Sequence, residues 1–331
     1  MTVIAFPNPR PARLAGQKGE AMDVILHLGA HRCATTTFQH YMRQNAARLA
    51  RDGTGFWGPH RTRAGLFRGI LPGPSIATGR DPRRRAVGRV RLNLTRSALS
   101  GTRRLLVSEE NMLGSMRENL RQAALYPSAG ERLARYGQAF DGQVTDVLLN
   151  IRSQDLWWAS ALGYGLARGF GLPSQVALDW IARNPRGWRD VITDVACALP
   201  GARIWVLPFE IFAGRPEAQL ATVTGRPAPR EHSRERLNPT PDLTVLRGLL
   251  PPALAAQLPK SEGRWTPFTP DQAAALREAY TDDLMWLAAG ADGLAWLVDD
   301  LNKKSAGQTP PTPDLTRGKR NDQDRRLAGA G

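Results

Sequence analysis

The chain has 331 residues, 42% of them hydrophobic, so it is long enough for one large α/β domain or two small ones. No run approaches the ~20 apolar residues of a membrane span, and Pro7, Pro9 and Pro11 interrupt any signal-peptide pattern. Two cysteines, Cys33 and Cys197, and five histidines make neither a disulfide framework nor a metal-binding pattern, which favours a cytoplasmic protein without a metal.

The first predicted element is a buried strand that leads through a tight turn into a helix. Residues 24–28 read VILHL and stop at Gly29, and the apolar spacing that follows predicts a helix over roughly 36–51. Such a turn points backbone N–H groups and hydroxyls at one spot on the positive end of the helix, which suits a phosphate or a similar anion. Arg32 in the turn adds a full positive charge. The alternative is that Thr35 merely caps the helix.

A strongly basic segment comes next. Residues 53–80 are rich in Gly, Pro and Arg and are predicted to be irregular, and a helix is predicted over 84–99. From Arg61 to Arg104 there are twelve arginines and one acid, Asp81; twelve minus one gives +11 of the formal net charge of +15. The segment is interpreted either as an electropositive platform for an anionic acceptor or as a solvated face. No aromatic residues alternate with the arginines, which argues against nucleic-acid binding.

The second predicted strand runs into two carboxylates. Residues 104–108 are a short, mostly apolar stretch, and Glu109 and Glu110 follow at once. A carboxylate at the end of a strand can serve as a general base. The alternative is that both acids are solvated, or that one of them caps the helical region predicted near 112–140.

The third predicted strand ends in an arginine. Residues 144–151 read VTDVLLNI, Arg152 follows, and Ser160 lies eight positions later on a helix predicted over 154–167. An arginine fork can grip phosphate oxygens with two hydrogen bonds, and a serine hydroxyl can add a third. The alternative is a surface arginine and an ordinary helical serine.

The remaining elements complete an alternating pattern. A helix is predicted near 186–198 and a fourth strand over 202–207. The alternation predicts an α/β fold in which helices cover both faces of a parallel sheet. We expect residues 1–21 to be flexible and the polar, basic tail 302–331 to be disordered, which leaves 22–301 as a single domain.

These motifs resemble those of sulfotransferases that use 3′-phosphoadenosine 5′-phosphosulfate (PAPS), in particular bacterial carbohydrate sulfotransferases. In that family a strand, the sequence Lys-Thr-Gly-Thr-Thr and a helix form the 5′-phosphosulfate loop. The residues that align with this loop are Arg32, Cys33, Ala34, Thr35 and Thr36, of which the two threonines match. Arg152 and Ser160 take the places of the arginine and serine that hold the 3′-phosphate in the family.

The resemblance implies a P-loop-like three-layer fold with a central, mostly parallel sheet, with PAPS as co-substrate and no metal. Bacterial members carry a Ser-x-Glu pattern at the end of the corresponding strand, which makes Glu110 the candidate base, with Glu109 and His40 as alternatives. Arg32 would stabilise the charge on the leaving oxygen, but it cannot readily give up a proton, and the adjacent His31 could supply the general acid.

The resemblance also implies further nucleotide contacts and an acceptor. Thr37 in the loop, and Arg236 and Asn238 in a segment that closes over the nucleotide in bacterial sulfotransferases, would contact PAPS. The acceptor would be a hydroxyl, first of all on a glycan, which could be anionic, or else on a lipid or small alcohol, and a peripheral membrane contact is compatible with this. Two alternatives stay open: a non-catalytic polyanion- or nucleotide-binding protein on the same fold, and a P-loop kinase-like phosphotransferase, whose Gly-Lys pair this turn lacks.

Overall fold

The centre of the fold is a sheet of six parallel strands. It is seen in a computed structural model that describes residues 22–72, 81–183 and 186–299. The strands are β1 (Asp23–His27), β2 (Thr54–Trp57), β3 (Arg104–Ser108), β4 (Val144–Ile151), β5 (Arg203–Pro208) and β6 (Trp296–Leu297). Within the described residues they lie side by side in the order β2-β3-β1-β4-β5-β6, and every neighbouring pair is parallel.

The chain divides into a unit of residues 1–298, which contains the sheet, and a second unit of residues 299–331. Three parts named in the sequence-based predictions lie outside the described residues. They are the amino-terminal segment 1–21, the tail 302–331 and residues 73–80 of the basic segment.

Helices flank the sheet. In the first half of the chain they are α1 (Thr35–Gln44), α2 (Ala46–Arg51), α3 (Pro59–Arg61), α4 (Pro82–Leu99), α5 (Met116–Gln122), α6 (Ala129–Ala139) and α7 (Gln154–Leu166). In the second half they are α8 (Gln175–Arg183), α9 (Trp188–Ala198), α10 (Phe209–Phe212), α11 (Pro216–Thr224), α12 (Leu243–Gly248), α13 (Pro252–Ala255) and α14 (Pro270–Ala288). Short turns of π or 3₁₀ helix occupy Thr62–Leu66, Glu110–Met112 and Ala291–Gly293.

Both faces of the sheet are buried, which explains why the strand sequences are almost continuously apolar. Successive side chains of a strand point to opposite faces. In β1, Val24 and Leu26 join a large core cluster that includes Val90 of α4, whereas Ile25 joins a second cluster with Phe38 of α1. The two clusters lie on opposite faces of one sheet, so the described fold has three layers.

The four strands predicted from the sequence are confirmed, each to within one residue at either end. The prediction that residues 53–80 are irregular is wrong for β2, whose sequence TGFW is too short and too glycine-containing to show a periodic pattern. Strand β6 is only two residues long and was not predicted for the same reason. The sheet, expected to be mostly parallel, is parallel at every pairing of the described strands.

The single helix predicted over 36–51 is two helices that meet at Asn45. The side-chain amide of Asn45 donates to the backbone oxygens of Tyr41 and Glu231, each at 3.0 Å. Asparagine side chains compete in this way with helical hydrogen bonding. The break lets the chain turn from α1 into α2 and ties α1 to a distant segment.

The carboxyl ends of β3, β1 and β4 meet at one edge of the sheet. Strand β1 lies between the other two, and His27 at its end pairs with Ser108 of β3 and Leu148 of β4. In open parallel sheets, ligand sites form at this edge, where neighbouring connections leave in different directions. The turn after β1, the carboxylates after β3 and Arg152 after β4 all lie here.

Candidate functional site

The turn between β1 and α1 has a backbone conformation that few side chains adopt. Gly29, Arg32 and Ala34 have φ of 51°, 61° and 61°, and a Cβ on Gly29 would lie 2.6 Å from Thr35 Oγ1. The two non-glycine residues cost on the order of 1 kcal/mol each. Ala34 is the N-cap of α1 and makes no side-chain cap, while the Thr35 hydroxyl donates to Ala30 O at 2.9 Å. The interpretation of Thr35 as a simple cap is therefore wrong, and no side-chain acceptor occupies the N-cap position of α1.

Three buried aromatic side chains hold this turn and the end of β4 in place. The backbone N–H of His31 donates to the Tyr126 hydroxyl at 2.7 Å, and His31 Nδ1 lies 3.0 Å from the same oxygen. Trp157 Nε1 donates to His31 O and Trp188 Nε1 donates to Arg152 O, both at 2.7 Å. Sequence reasoning missed these aromatic residues, because their partners are mainly backbone atoms of distant segments that no motif reveals.

The two anion-binding motifs predicted from the sequence come together. Arg32 Nε donates to Ser160 Oγ at 2.9 Å, and Arg152 Nη1 donates to Arg32 O at 3.1 Å. Thr240 completes the cluster, since its hydroxyl lies 2.8 Å from Ser160 Oγ and accepts from Arg32 Nη2 at 3.3 Å. Thr240 was not predicted, although it lies two residues after Asn238 in the segment that was expected to approach the loop. We call Arg32, Arg152, Ser160 and Thr240 the arginine cluster.

The arginine cluster carries positive charge with no carboxylate bound to it among the described residues. Arg152 is 2% exposed, and its Nε is buried without a hydrogen-bond partner. Its guanidinium lies 4.3 Å from the centre of the Phe209 ring. Burial lowers the pKa of Arg152 and of Arg32, and nearby positive charge, from Arg264 and Arg168 among others, lowers both further. Because arginine stays protonated in proteins, this arrangement favours binding of an anion.

Two acids lie close enough to act on Arg152 through their charge, but both are already engaged. Glu210 accepts a backbone N–H at 3.0 Å and a tyrosine hydroxyl at 2.9 Å. Asp155 forms an ion pair with Arg277 at 3.1 Å. Neither forms a salt bridge with Arg152, so in the described structure no carboxylate contacts its guanidinium directly.

Glu110 lies after β3 and is held from two sides. Its Oε2 accepts from Gln39 Nε2 at 2.9 Å and its Oε1 accepts from Arg63 Nη2 at 2.8 Å. Burial alone would raise the pKa of Glu110, but charge from His31 and Arg63, together with these hydrogen bonds, brings the net pKa below its usual value. The side chain keeps 17% of its surface exposed, so Glu110 is an ionised carboxylate with access to solvent.

The two alternative bases have structural partners instead. Glu109 is 3% exposed and accepts from Thr62 Oγ1 at 2.6 Å, from Arg63 Nε at 2.9 Å and from Asn111 Nδ2 at 2.7 Å. His40 Nε2 lies 2.5 Å from Glu235 Oε2, and its Nδ1 accepts from Arg43 Nη2 at 3.0 Å. Of the three candidates, Glu110 combines ionisation with exposure at the carboxyl edge.

The segment around 229–242 lies against the turn, but not all of its predicted residues do. Asn238 Nδ2 donates to Thr36 Oγ1 at 3.3 Å, and the backbone N–H of Leu237 donates to Thr37 Oγ1 at 3.1 Å. Arg236 instead lies beside Gly214 and is exposed. The contact of Arg236 with PAPS therefore stays a prediction.

The side chain of Cys33 faces away from the site. It is 1% exposed and belongs to the large core cluster, and burial raises the pKa of its thiol to about 12. At this position only the backbone can contact a ligand.

A groove of about 310 Å³ lies near Thr54 and Arg104, the first residues of β2 and β3, and no predicted site residue lines it. The amino ends of parallel strands are at the opposite edge of the sheet from Glu110 and Arg152.

Within the described residues, no three His, Cys, Asp or Glu side chains lie close enough together to bind a metal ion. None of the helices described by the structure has the length and apolar composition of a membrane span.

Comparison of the chain with protein-family models, curated proteins and solved structures gives no match.

Proposed function

We propose that the chain is a PAPS-dependent sulfotransferase with a P-loop-like fold, which moves a sulfuryl group to a hydroxyl acceptor, first of all on a glycan. One observation carries the proposal. Two anion-binding motifs about 120 residues apart in sequence meet through the 2.9 Å bond between Arg32 and Ser160, and their charge has no carboxylate partner in the described residues. A ligand with two separate anionic groups fits this arrangement, and PAPS carries a 5′-phosphosulfate and a 3′-phosphate.

The backbone of the turn supports the same assignment. Ala34 has a positive φ and stands where the sulfotransferase loop carries glycine, the residue that adopts positive φ most readily. The first N–H groups of α1 and the exposed Thr36 hydroxyl would bind the phosphosulfate. Arg152 and Ser160 would bind the 3′-phosphate. Ser160 can keep its bond with Arg32, because its oxygen is the acceptor there and its hydroxyl hydrogen can donate to a phosphate oxygen.

In the proposed reaction the acceptor oxygen attacks sulfur, and the bond from sulfur to the bridging oxygen of the phosphosulfate breaks. Glu110 would take the proton of the acceptor hydroxyl. Arg32 would neutralise the charge that develops on the leaving adenosine 3′,5′-bisphosphate. His31 interacts electrostatically with Glu110, so a role beside the acceptor fits its position better than protonation of the leaving group.

A kinase-like phosphotransferase fits the site less well. The turn contains no lysine, and an arginine cannot replace the point charge of that lysine with the same geometry. Arg152 and Ser160, which are proposed to bind a 3′-phosphate, would also have no evident partner on a nucleoside triphosphate.

The nucleotide-binding half of the proposal is tested by calorimetry. We expect adenosine 3′,5′-bisphosphate to bind far more tightly than adenosine 5′-monophosphate. The change Arg152→Ala should cost about 2–5 kcal/mol of binding free energy for the bisphosphate, the range for removing one partner of a buried charge pair. Arg96→Ala, which removes an exposed arginine, is the matched control and should bind as the wild type does. Equal affinity of the wild type for the two nucleotides would refute the assignment.

A further inference from the structure

A chain of buried polar side chains runs from Glu110 into the sheet. Gln39 Nε2 donates to Glu110 Oε2 at 2.9 Å and to Ser108 Oγ at 3.1 Å. His27 Nδ1 lies 2.7 Å from Ser108 Oγ, and His27 Nε2 lies 3.3 Å from Asn150 Oδ1. We call this set of residues, with Gln219 at its far end, the polar chain. It crosses three neighbouring strands, because Ser108, His27 and Asn150 belong to β3, β1 and β4.

From Gln39 to Gln219 every hydrogen bond of the polar chain points away from Glu110, and Gln39 also donates to Glu110 in the opposite direction. Gln219 Nε2 donates to Phe212 O at 2.9 Å, so its Oε1 is left to accept from Asn150 Nδ2 at 3.3 Å. Asn150 Oδ1 then accepts from His27 Nε2, which places the imidazole proton on Nε2 and makes Nδ1 an acceptor. The Ser108 hydroxyl must donate to Nδ1, and its oxygen accepts from Gln39. The two hydrogens of Gln39 Nε2 are therefore committed to Ser108 and Glu110.

Four members of the polar chain are buried and uncharged. His27, Ser108, Asn150 and Gln219 are between 0% and 2% exposed. Burial lowers the pKa of His27 to about 4, so the imidazole is neutral near pH 7. Buried polar groups cost free energy unless they are hydrogen-bonded, and a fully satisfied network fixes its members in one arrangement. Apolar residues could fill these positions, as they do elsewhere in the strands. We therefore expect the polar chain to orient the side chains at its end and not only to stabilise the sheet.

We propose that Gln39 is a positioning residue that holds the Glu110 carboxylate in its reactive orientation, and that the polar chain fixes Gln39. Gln39 holds one carboxylate oxygen of Glu110 and Arg63 holds the other. The acceptor-activating role of Glu110 rests on the proposed function, whereas the effect of Gln39 on Glu110 can be measured without any substrate.

The first test is an NMR titration of the Glu110 carboxyl carbon, assigned by its disappearance in Glu110→Gln. Gln39→Met removes both N–H donors at nearly constant volume. We expect the pKa of Glu110 to rise, because the charged carboxylate loses a hydrogen-bond donor. The other groups that face Glu110 are Arg63, His31 and Glu109, and the His31 and Glu109 signals are followed in the same spectra.

Gln44→Met is the matched control, since it makes the same substitution on the exposed side of α1 and should leave the Glu110 titration unchanged. Ser108→Ala removes the contact that fixes Gln39 and should shift the titration in the same direction by less. A purely structural role of Gln39 would lower stability without moving the Glu110 titration. An unchanged titration in a folded Gln39→Met protein overturns the proposal.

The second test is kinetic. With PAPS, we expect Gln39→Met to lower kcat about 10- to 100-fold, as small displacements of a reacting group do, and to leave the KM for PAPS unchanged. The acidic limb of the kcat–pH profile should move to higher pH together with the Glu110 titration. If the wild type binds no adenosine 3′,5′-bisphosphate, the proposed function fails, and the NMR titration still decides whether Gln39 positions Glu110.

Discussion

His27 and Arg152 are both buried at the carboxyl edge of the sheet, and burial has different consequences for the two. An imidazole can lose its proton, so His27 becomes neutral and takes a fixed place in the polar chain. A guanidinium cannot, so Arg152 keeps a charge that no carboxylate pairs with in the described structure. The hydrogen bonds of His27 hold the edge of the sheet in one arrangement, and the charge of Arg152 favours an anion. The proposed site would use both.

The state of His27 predicts how stability depends on pH. Its pKa is about 4 in the folded protein and 6.5 in a model peptide, so the unfolded chain binds more protons between these values. Stability must therefore fall as the pH falls through this window. From pH 7 to pH 4.5, His27 alone should remove about 2–3 kcal/mol of unfolding free energy.

Urea unfolding of the wild type and of His27→Gln at the two pH values measures this contribution. Glutamine can keep a donor to Asn150 but does not titrate, so the variant should lose less stability on acidification, by about 2–3 kcal/mol. Equal losses in the two proteins would show that His27 does not titrate in this window.

The two adjacent glutamates should respond differently to the same substitution. Glu110→Gln should fold normally, keep its nucleotide affinity and lower turnover about 10²- to 10⁴-fold, the usual contribution of a general base. Glu109→Gln should chiefly lower the melting temperature, because Glu109 ties Arg63, Thr62 and Asn111 together. Full activity of Glu110→Gln would transfer the role of base to Glu109 or His40.

At the scale of elements, the sequence predicted those whose pattern is long enough to read. Strands β1, β3, β4 and β5 are runs of buried residues and were found within one residue of their ends. Strand β2 forms because its residues pair with β3, beginning with Thr54 beside Arg104. Its own four residues carry no clear strand pattern. Pairing between distant segments of this kind leaves no local signal.

The residues of the candidate site likewise fall into those that the sequence could predict and those that it could not. Arg32 and Arg152 could be predicted to lie close together, because they follow neighbouring parallel strands whose ends meet at one edge, and Ser160 was singled out by the resemblance to the sulfotransferase motif. Thr240 and Tyr126 could not, since each reaches the turn from an irregular segment through one hydroxyl. The polar chain was also missed: His27 is a single polar residue in an apolar strand, and its partners are 81 and 123 residues away.

At the scale of the whole molecule, the positive charge of the basic segment is only partly free. Arg63 binds the two glutamates, Arg91 pairs with Asp141, and Arg89 donates to backbone oxygens. The exposed arginines in the first turn of α4 have no side-chain hydrogen bond or ion pair in the described structure. They are Arg83, Arg84 and Arg85. Positive charge at the start of a helix opposes the helix dipole, so removing it should not destabilise α4.

These three neighbouring arginines form an exposed group in the basic segment that can act on an acceptor from a distance. If the segment is an acceptor platform, replacing all three with Ala should raise the KM for an anionic acceptor and flatten its salt dependence, while the affinity for adenosine 3′,5′-bisphosphate barely changes. Exposed charges are screened over a Debye length of about 8 Å at physiological salt, whereas the arginine cluster would hold the proposed nucleotide through direct, partly buried contacts.

The measurement is acceptor kinetics at two ionic strengths, with a control triple variant that removes the same charge from other exposed positions. The control positions are Arg51, Arg117 and Arg121. Because both variants lose three charges, a change in the α4 variant alone assigns the effect to this helix rather than to net charge. Equal salt dependences in wild type and both variants would identify the start of α4 as a solvated face. A large loss of nucleotide affinity in the α4 variant would instead place these arginines in the nucleotide site and contradict the division between platform and arginine cluster.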